Sequence, residues 1–232
     1  MTYLITVKRT ERYALLMEKL RSYLVVGILA ALMIGAVVYF AVGYETPKAR
    51  IKAPGGGTAE VTPTDKMRVR TAEGQPDIDL ASYKLEVNGL VKTPFSLSLD
   101  EVKALPAEER FVKLPCVEGW TEAGTWKGPR LALLLERAGV GNDAETVVFT
   151  SPNGYTTSLT LADVKATDPL LAYGVTGGKL PDKQGYPLRL VVPDRLGYKW
   201  VKWVTGIELV KGGYEGYWES RGYSNDADAG DR

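Results

Sequence analysis

Cys116 is the only cysteine in a chain of 232 residues that contains no histidine. A single thiol cannot form a disulfide within the chain, and without histidine it can form neither a Cys–His nucleophile nor the usual zinc site. An isolated cysteine is most often a small buried apolar residue. If Cys116 does chemistry, it acts either as a thiolate ligand to a metal whose other ligands come from a cofactor, or as a redox thiol.

The residues around the thiol predict that it lies at the end of a strand and faces a pocket. The apolar run 111–114 is typical of a strand, and Pro115 removes the next backbone donor. Gly119 permits a sharp turn or a close approach of the backbone to a ligand. Glu118 disfavours a free thiolate at Cys116 unless a cation compensates, and a bound metal would supply that compensation.

Short strands and a few short helices are the elements expected to position this thiol. A capping box at residues 98–101 begins one helix, residues 160–163 begin another short helix, and residues 131–138 predict a third helix that ends at Gly139. Alternating and apolar runs predict strands over residues 83–87, 146–150, 155–159, 188–192 and 199–210. This pattern predicts an α+β fold with mixed or antiparallel sheets rather than regular βαβ winding.

The N-terminal part of the chain contains a long apolar stretch. No charged residue occurs between Ser22 and Tyr44, and about 20 apolar residues suffice to cross a bilayer. We therefore expect one transmembrane helix over residues 22–44, preceded by a basic amphipathic segment over residues 1–21. The excess of lysine and arginine before the span predicts a single-pass protein of the cell membrane, whose C-terminal domain is extracytoplasmic.

The rest of the chain is expected to form a flexible linker, one domain and a tail. Glycine and proline in residues 45–76 favour a linker, residues 77–226 form the domain, and residues 227–232 form an acidic tail. Residues 1–52 carry eight lysines and arginines against three acidic residues, which leaves 21 against 25 for the remainder. That mildly acidic remainder lacks the basic surface that binds nucleic acid, so we expect no such partner.

Several motifs in one order resemble those of a known family. They are residues 115–120, residues 126–128 leading into the 131–139 helix, and the segments 185–193, 197–203 and 216–225. Together they resemble the molybdopterin-binding domain of the sulfite oxidase superfamily. The branch that they resemble is that of the bacterial protein-methionine-sulfoxide reductases rather than that of the true sulfite oxidases.

The resemblance implies a sulfite-oxidase-like fold, a molybdenum–molybdopterin cofactor and two-electron oxygen-atom transfer. In that family one cysteine thiolate binds molybdenum, and the match gives this role to Cys116. Tyr223 lies in the segment 216–225, which we call the closing motif. It matches the active-site tyrosine of that motif in the family and would hydrogen-bond an oxo ligand or the substrate. Arg189, Lys199 and Lys202 are the candidate cofactor-binding residues.

Glu118 completes the candidate catalytic residues, and its charge bears on the substrate. A carboxylate near the metal repels anions, which favours a neutral small-molecule or protein-bound oxide. Without histidine and with one cysteine, ordinary haem ligation and iron–sulfur clusters are excluded, so electrons must be exchanged with a separate protein, such as a membrane cytochrome. Two alternatives stay open: a non-catalytic binding or assembly module that keeps the fold without the metal, and a metal-free redox thiol.

Overall fold

The computed structural model describes residues 17, 19–34, 47–54 and 56–230. The chain divides into two units, Met1–Glu45 and Thr46–Arg232. In the first unit, residues 19–34 form the helix α1. Within the described ranges, no helix combines the length and the apolar character needed to cross a bilayer. The span predicted over residues 22–44 extends past residue 34 into residues outside the described ranges, as does most of the amphipathic segment predicted over residues 1–21.

The second unit contains short strands and three short helices in its described part. The helices are α2 (Leu99–Ala104), α3 (Leu131–Ala138) and α4 (Leu161–Thr167). The strands are β1 (Ala49–Lys52), β2 (Thr58–Val61), β3 (Lys84–Gly89), β4 (Phe95–Ser98), β5 (Ala107–Pro115), β6 (Thr121–Pro129), β7 (Thr146–Thr150), β8 (Thr156–Thr160), β9 (Leu170–Ala172), β10 (Gly174–Val175), β11 (Gly178–Lys179), β12 (Arg189–Val191) and β13 (Gly206–Val210).

Two larger sheets form the framework of this unit. The five-stranded sheet has the order β4-β3-β13-β7-β8, and only its β13–β3 pair is parallel. The four-stranded sheet has the order β11-β10-β6-β5 and is antiparallel throughout. Strands β12–β9 and β1–β2 form two smaller antiparallel pairs. The predicted α+β class, with mixed and antiparallel sheets and few short helices, is therefore confirmed.

Local sequence signals explain where the helices begin and end. Ser98 and Thr160 each accept a hydrogen bond from the third residue of the helix that follows, and both capping boxes are complete. Helix α3 presents buried leucines to the core and ends at Gly139, whose φ of 67° is the left-handed conformation of a C-terminal cap. These boundaries agree with the predicted ones because they depend on contacts within one helical turn.

The β5–β6 hairpin carries the cysteine at its tip. Nine residue pairs join the two strands, from Ala107 opposite Pro129 to Pro115 opposite Thr121. At Gly128 an added Cβ would lie 1.9 Å from the carbonyl oxygen of Leu171, so only glycine allows β6 to pack this closely on β9. The hairpin is thereby fixed against the core, and its turn is held in one position.

Three sequence predictions differ from the structure. Residues 199–205 do not continue a strand: a 3-10 turn spans Gly197–Lys199, and β13 begins only at Gly206. The linker predicted over residues 45–76 instead contains the β1–β2 hairpin, and residues 62–72, which we call the strap, pack on the domain. In the predicted acidic tail, Ala227 and Ala229 are buried and their backbone groups bond to the 194–196 loop.

Candidate active site

Cys116 lies half-buried at the edge of a cavity of ≈ 370 Å³. A tight turn holds it there: the Cys116 N–H donates to Trp120 O at 2.9 Å, and the Gly119 N–H donates to Cys116 O at 3.0 Å. Gly119 has a φ of 86°, which a residue with a side chain rarely adopts. The predicted position of the thiol, at a strand end beside a pocket, is therefore the observed one.

Four parts of the chain form the walls of this cavity. The hairpin tip contributes one wall, the strap a second, the 189–203 region a third, and the closing motif with the 153–155 turn a fourth. The lining residues are Arg68, Arg70, Thr71, Ala72, Leu114, Cys116, Val117, Glu118, Trp120, Asn153, Tyr155, Arg189, Gly197, Tyr198, Trp200, Lys202, Trp203, Trp218 and Tyr223.

The surroundings of the thiol favour its protonated form. Burial is the main cause that raises the pKa of Cys116, and the Glu118 carboxylate raises it further. The Arg70 guanidinium and backbone hydrogen bonds act in the opposite direction, but the net shift is upward. A thiolate at this position therefore needs additional positive charge, which a metal ion would provide.

Glu118 is held by two donors at the mouth of the cavity. Arg70 Nε lies 3.0 Å from each of its carboxylate oxygens, and Trp120 Nε1 donates to Oε2 at 2.8 Å. These hydrogen bonds, with Arg70 first, lower the pKa of Glu118, so the side chain is ionised at neutral pH. Because Arg70 balances this charge, Glu118 does not act as an isolated carboxylate that repels anions, as the sequence alone predicted.

The strap is bound to the domain through its backbone. The Thr62 N–H donates to Ala123 O at 2.7 Å, and Arg68 N–H donates to the buried Glu122. Gln184 Nε2 donates to the carbonyl oxygens of Met67 and Arg68 at 3.2 and 3.0 Å. These contacts explain why a polar segment with little apolar surface is ordered over the cavity.

Arg189 forms the deepest cationic part of the cavity. It is 3% exposed, and its Nη1 donates to the backbone and side-chain oxygens of Gln184 at 3.1 and 2.8 Å. Its guanidinium lies 5.3 and 5.8 Å from the ring centres of Trp126 and Trp200. Burial lowers the pKa of Arg189 to about 10, and its Nε has no hydrogen-bond partner within the described ranges. A buried cation with one unused donor fits an anionic ligand group.

Lys202 lies in the same wall as Arg189 and also faces the cavity. Its Nζ donates to the carbonyl oxygens of Arg70 and Lys183 at 3.0 and 2.9 Å, so it connects the strap to the wall. Burial is the main cause that lowers the pKa of Lys202 to about 7, and the charge of Arg189 contributes in the same direction. The structure thus brings Lys202, Arg189 and Cys116 to one cavity, as their assignment as site residues requires.

Lys199 is separated from that group. It does not line the cavity but is fully buried, and its Nζ donates to Ser158 O, Glu219 Oε1 and Asn225 Oδ1 at 2.9, 2.7 and 2.8 Å. Three acceptors use all three of its N–H groups. The side chain of Lys199 therefore connects the closing motif to the core, while its proposed contact with a cofactor stays a prediction from sequence.

Tyr223 belongs to an aromatic wall at the cavity mouth. Its ring centre lies 5.3 Å from that of Tyr198 and 5.0 Å from that of Trp218, and the residue is 37% exposed. The Tyr198 hydroxyl donates to Ser224 O at 2.7 Å, and burial raises the pKa of Tyr198 to about 12. The wall therefore presents phenol hydroxyls and apolar ring faces to a molecule that enters the cavity.

Sequence reasoning did not identify several residues of this cavity. Tyr198 directly precedes Lys199, and Trp218 lies five residues before Tyr223 in the 216–225 motif, so their positions in these motifs are a usable signal. Arg68 and Arg70 lie in the strap, where the glycine- and proline-rich composition predicted a linker. Their only signal was the local alternation of charged and apolar residues over 66–70.

The donor set fits a cofactor whose metal takes one protein ligand. In the described part of the chain no three His, Cys, Asp or Glu side chains cluster to form a metal site. Among the described residues, Glu118 is the one such side chain that lines the cavity with Cys116, and it is held by Arg70 and Trp120, whereas Arg189 provides an unused buried donor. A cofactor that brings its own metal ligands and an anionic group matches both features.

Comparison with known proteins agrees with this geometry. The family model of the oxidoreductase molybdopterin binding domain matches residues 72–218. The uncharacterized oxidoreductase YuiH of Bacillus subtilis is 39% identical over 146 residues, which are 62% of this chain and 74% of that protein. The putative protein-methionine-sulfoxide reductase subunit YedZ1 of Azospira oryzae is 35% identical over 64% of this chain and 56% of that protein.

Two further comparisons cover smaller shares of the other protein. The protein-methionine-sulfoxide reductase catalytic subunit MsrP of Xanthomonas campestris is 35% identical over 58% of this chain and 47% of its own length. The crystal structure of the sulfane dehydrogenase SoxCD from Paracoccus pantotrophus superimposes with a TM-score of 0.64 at 24% identity, over 67% of this chain and 45% of that chain. This last likeness shows a shared fold. The chain thus spans about half the length of several relatives that it matches.

Proposed function

The chain belongs to the oxidoreductase molybdopterin-binding domain family of the sulfite oxidase superfamily, and from this premise we propose that it is a molybdenum enzyme of two-electron oxygen-atom transfer. One observation carries the proposal: the single thiol of the chain lies on the same cavity as a buried arginine with an unused donor. A redox thiol or a packing residue would need no such cation beside it. A metal cofactor with an anionic group needs both.

Each proposed ligand has a defined place in this cavity. Cys116, at the hairpin turn, would be the thiolate ligand of molybdenum, and Arg189 and Lys202, which line the same cavity, would be partners for the anionic parts of molybdopterin. The bound cofactor would supply the centre that accepts and donates two electrons and an oxygen atom. The chain's own contribution is to fix the thiol, balance the negative charge and limit access of water.

The mouth of the cavity fits a neutral sulfur oxide. Tyr223, Tyr198 and Trp218 present aromatic surface, and thioether sulfur makes favourable contacts with such rings. The Tyr223 hydroxyl, at the exposed edge of this wall, would donate a hydrogen bond to the oxygen of the substrate. Two of the relatives are named as protein-methionine-sulfoxide reductase components, so we propose methionine sulfoxide in proteins as the substrate and its reduction as the direction.

We also propose that the electrons come from a separate protein at a membrane. The relative from Xanthomonas campestris is named as a catalytic subunit, which implies a second component. Leu24, Leu29 and Leu32 of α1 are 62, 55 and 65% exposed, so this helix presents apolar side chains of the kind that a bilayer covers. Attachment of residues 22–44 to the cell membrane, with the domain outside the cytoplasm, would hold the domain close to a membrane cytochrome.

Metal analysis of the purified full-length protein tests the proposal. From a host that synthesises the cofactor, wild type should contain about one molybdenum per chain together with pterin fluorescence, and Cys116→Ser should lose at least roughly nine-tenths of the metal. Val117→Ser, in the same exposed turn, is the matched control and should retain it. Absence of both metal and pterin from wild type would favour the non-catalytic module.

Thiol modification and turnover separate the remaining alternatives. A metal-bound thiolate should resist alkylation in the native protein, whereas a metal-free redox thiol should react rapidly. With an artificial electron donor, the loaded protein should reduce a methionine sulfoxide peptide and should act poorly on sulfite. Efficient sulfite oxidation with no sulfoxide reduction would contradict the proposed substrate.

A further inference from the structure

The contact between Arg70 and Glu118 places an ion pair at the mouth of the cavity. Arg70 Nε is 3.0 Å from both carboxylate oxygens, and both residues line the cavity. The two side chains are 58 and 45% exposed, so the pair faces the solvent through which a substrate arrives. Trp120 Nε1 holds Glu118 Oε2 from the other side at 2.8 Å.

The charged side chains that line the cavity are mostly cations, and Glu118 pairs with one of them. Four cationic side chains line it, Arg68, Arg70, Arg189 and Lys202, whereas Glu118 is its one carboxylate among the described residues. Arg189 and Lys202 lie deeper and bond to protein oxygens, while Arg70 is the cation paired with a carboxylate at the entrance. Without Glu118, the guanidinium of Arg70 would present its donors to an entering oxyanion.

We propose that Glu118 determines the substrate class by occupying Arg70. The pair itself carries no net charge, so that neutral sulfoxides enter while oxyanions such as sulfite and sulfate gain no binding energy from Arg70. The consequence for substrates depends on the proposed function. The weak binding of oxyanions is a property of the pair itself and can be measured without turnover.

A sulfate titration of the loaded full-length protein tests this inference. Sulfate is used because it is an oxyanion that leaves the protein's redox state unchanged, and intrinsic tryptophan fluorescence, to which Trp120 beside Glu118 contributes, reports its binding at constant ionic strength. Glu118→Gln should bind sulfate roughly fivefold or more tightly, as expected for one unmasked charge about 4 Å from an anion in a water-like medium. The neutral amide can still accept the hydrogen bond from Trp120, so the turn is retained. Glu118→Ala carries the same expectation if the glutamine variant does not fold.

Two further variants separate this effect from a change in net charge. Glu109 pairs with Lys127 at 3.2 Å on the same hairpin, with 48 and 50% exposure, and does not line the cavity. Glu109→Gln therefore makes the same change in net charge and should leave sulfate binding unchanged. In Glu118→Gln combined with Arg70→Gln, the gain should disappear.

Three results would overturn the inference: no gain in Glu118→Gln, an equal gain in Glu109→Gln, or a gain that persists when Arg70 is also replaced. The last result would mean that Glu118 acts by repulsion and not by occupying the arginine. If the sulfate results are as expected but no sulfoxide is reduced, the proposed function fails while the role of the pair stands. The two failures are therefore distinguishable.

Discussion

The inner wall of the cavity and the strap each carry arginines, but the two regions differ in whether the arginine is buried and whether a carboxylate pairs with it. Arg189 is almost completely buried, and its Nη1 bonds to neutral oxygens of Gln184. Arg70 is exposed and is paired with a carboxylate. The desolvation of the Arg189 cation is only partly offset by the charge of Glu122, so its place on the cavity wall favours a ligand that supplies further negative charge. An exposed pair carries no such cost and can adjust selectivity without affecting the fold.

Lys199 is a third kind of cation, buried like Arg189 but paired with a carboxylate like Arg70. It is as deeply buried as Arg189, but Glu219 neutralises it and Thr157 also donates to that carboxylate. The pair lies outside the cavity and connects strand β8, the 197–199 turn and the closing motif that carries Tyr223. Burial alone therefore does not mark a ligand-binding cation. Burial, a place on the cavity wall and an unused donor do so together.

Replacement of Lys199 should have the largest effect on stability. Lys199→Met leaves the Glu219 carboxylate buried without its cation, and breaking one side of a buried pair costs about 3–5 kcal/mol. The free energy of unfolding in urea, measured on the domain of the full chain at neutral pH, should fall by that amount. Lys199→Met combined with Glu219→Gln should recover part of the loss. A loss below about 1 kcal/mol in the single variant would contradict a structural role.

Replacement of Arg189 should act mainly on cofactor content. Arg189→Met removes charged hydrogen bonds worth about 1.5–3 kcal/mol each, so cofactor retention should fall roughly 10- to 100-fold. Stability without cofactor should change less, because the cost of burying the cation is removed at the same time. Arg195→Met is the matched control: Arg195 is 16% exposed, pairs with Asp163 and does not line the cavity. Equal cofactor loss in both variants would contradict the assignment of Arg189.

The sequence predicted the elements whose signals are local. Strand β7 and helix α3 have the predicted bounds, because apolar content and a capping glycine decide them within one element. Cys116 was placed correctly because the proline and glycine that set its turn lie within three residues of it. Arg189 and Lys202 were selected because their motifs follow one another in the same order as in the family, and both residues line the cavity.

The strap and Lys199 could not be predicted from the same signals. The strap is held by Gln184, which lies 116 residues from Arg68 in sequence, and by backbone groups that a composition cannot reveal. Lys199 was predicted from its motif as a cofactor-binding residue, and its burial against other protein groups was not predicted, because lysine is rarely buried unless it is paired. Its partner Glu219 is 20 residues away in another motif. Both features depend on polar contacts between distant segments.

Lys202 predicts a pH dependence of stability. Burial and Arg189 lower its pKa to about 7, whereas an unfolded lysine titrates near 10.4, and nearby Glu122 only partly opposes the shift. Between these values the unfolded chain binds more protons than the folded chain, so the free energy of unfolding rises with pH. The slope is at most about 1.4 kcal/mol per pH unit for one group. The difference between wild type and Lys202→Met, measured from about pH 6 to about pH 9.5, should grow in favour of wild type. A difference that stays flat or shrinks would contradict the assignment.

The smallest effect on stability is expected for replacement of Arg70 or Glu118, the ion pair at the mouth of the cavity. Exposed ion pairs contribute at most about 1 kcal/mol, so Glu118→Gln and Arg70→Gln should each lower the free energy of unfolding by no more than that. The backbone hydrogen bonds of the strap to Gln184 and Lys202 do not involve these side chains and should hold it in place. Urea unfolding beside the Glu109→Gln control measures the difference. A loss of about 3 kcal/mol in the free energy of unfolding would mean that the Arg70–Glu118 pair stabilises the fold. It would contradict the contrast between an inner wall that binds a ligand through buried charge and a strap that selects substrates through an exposed ion pair.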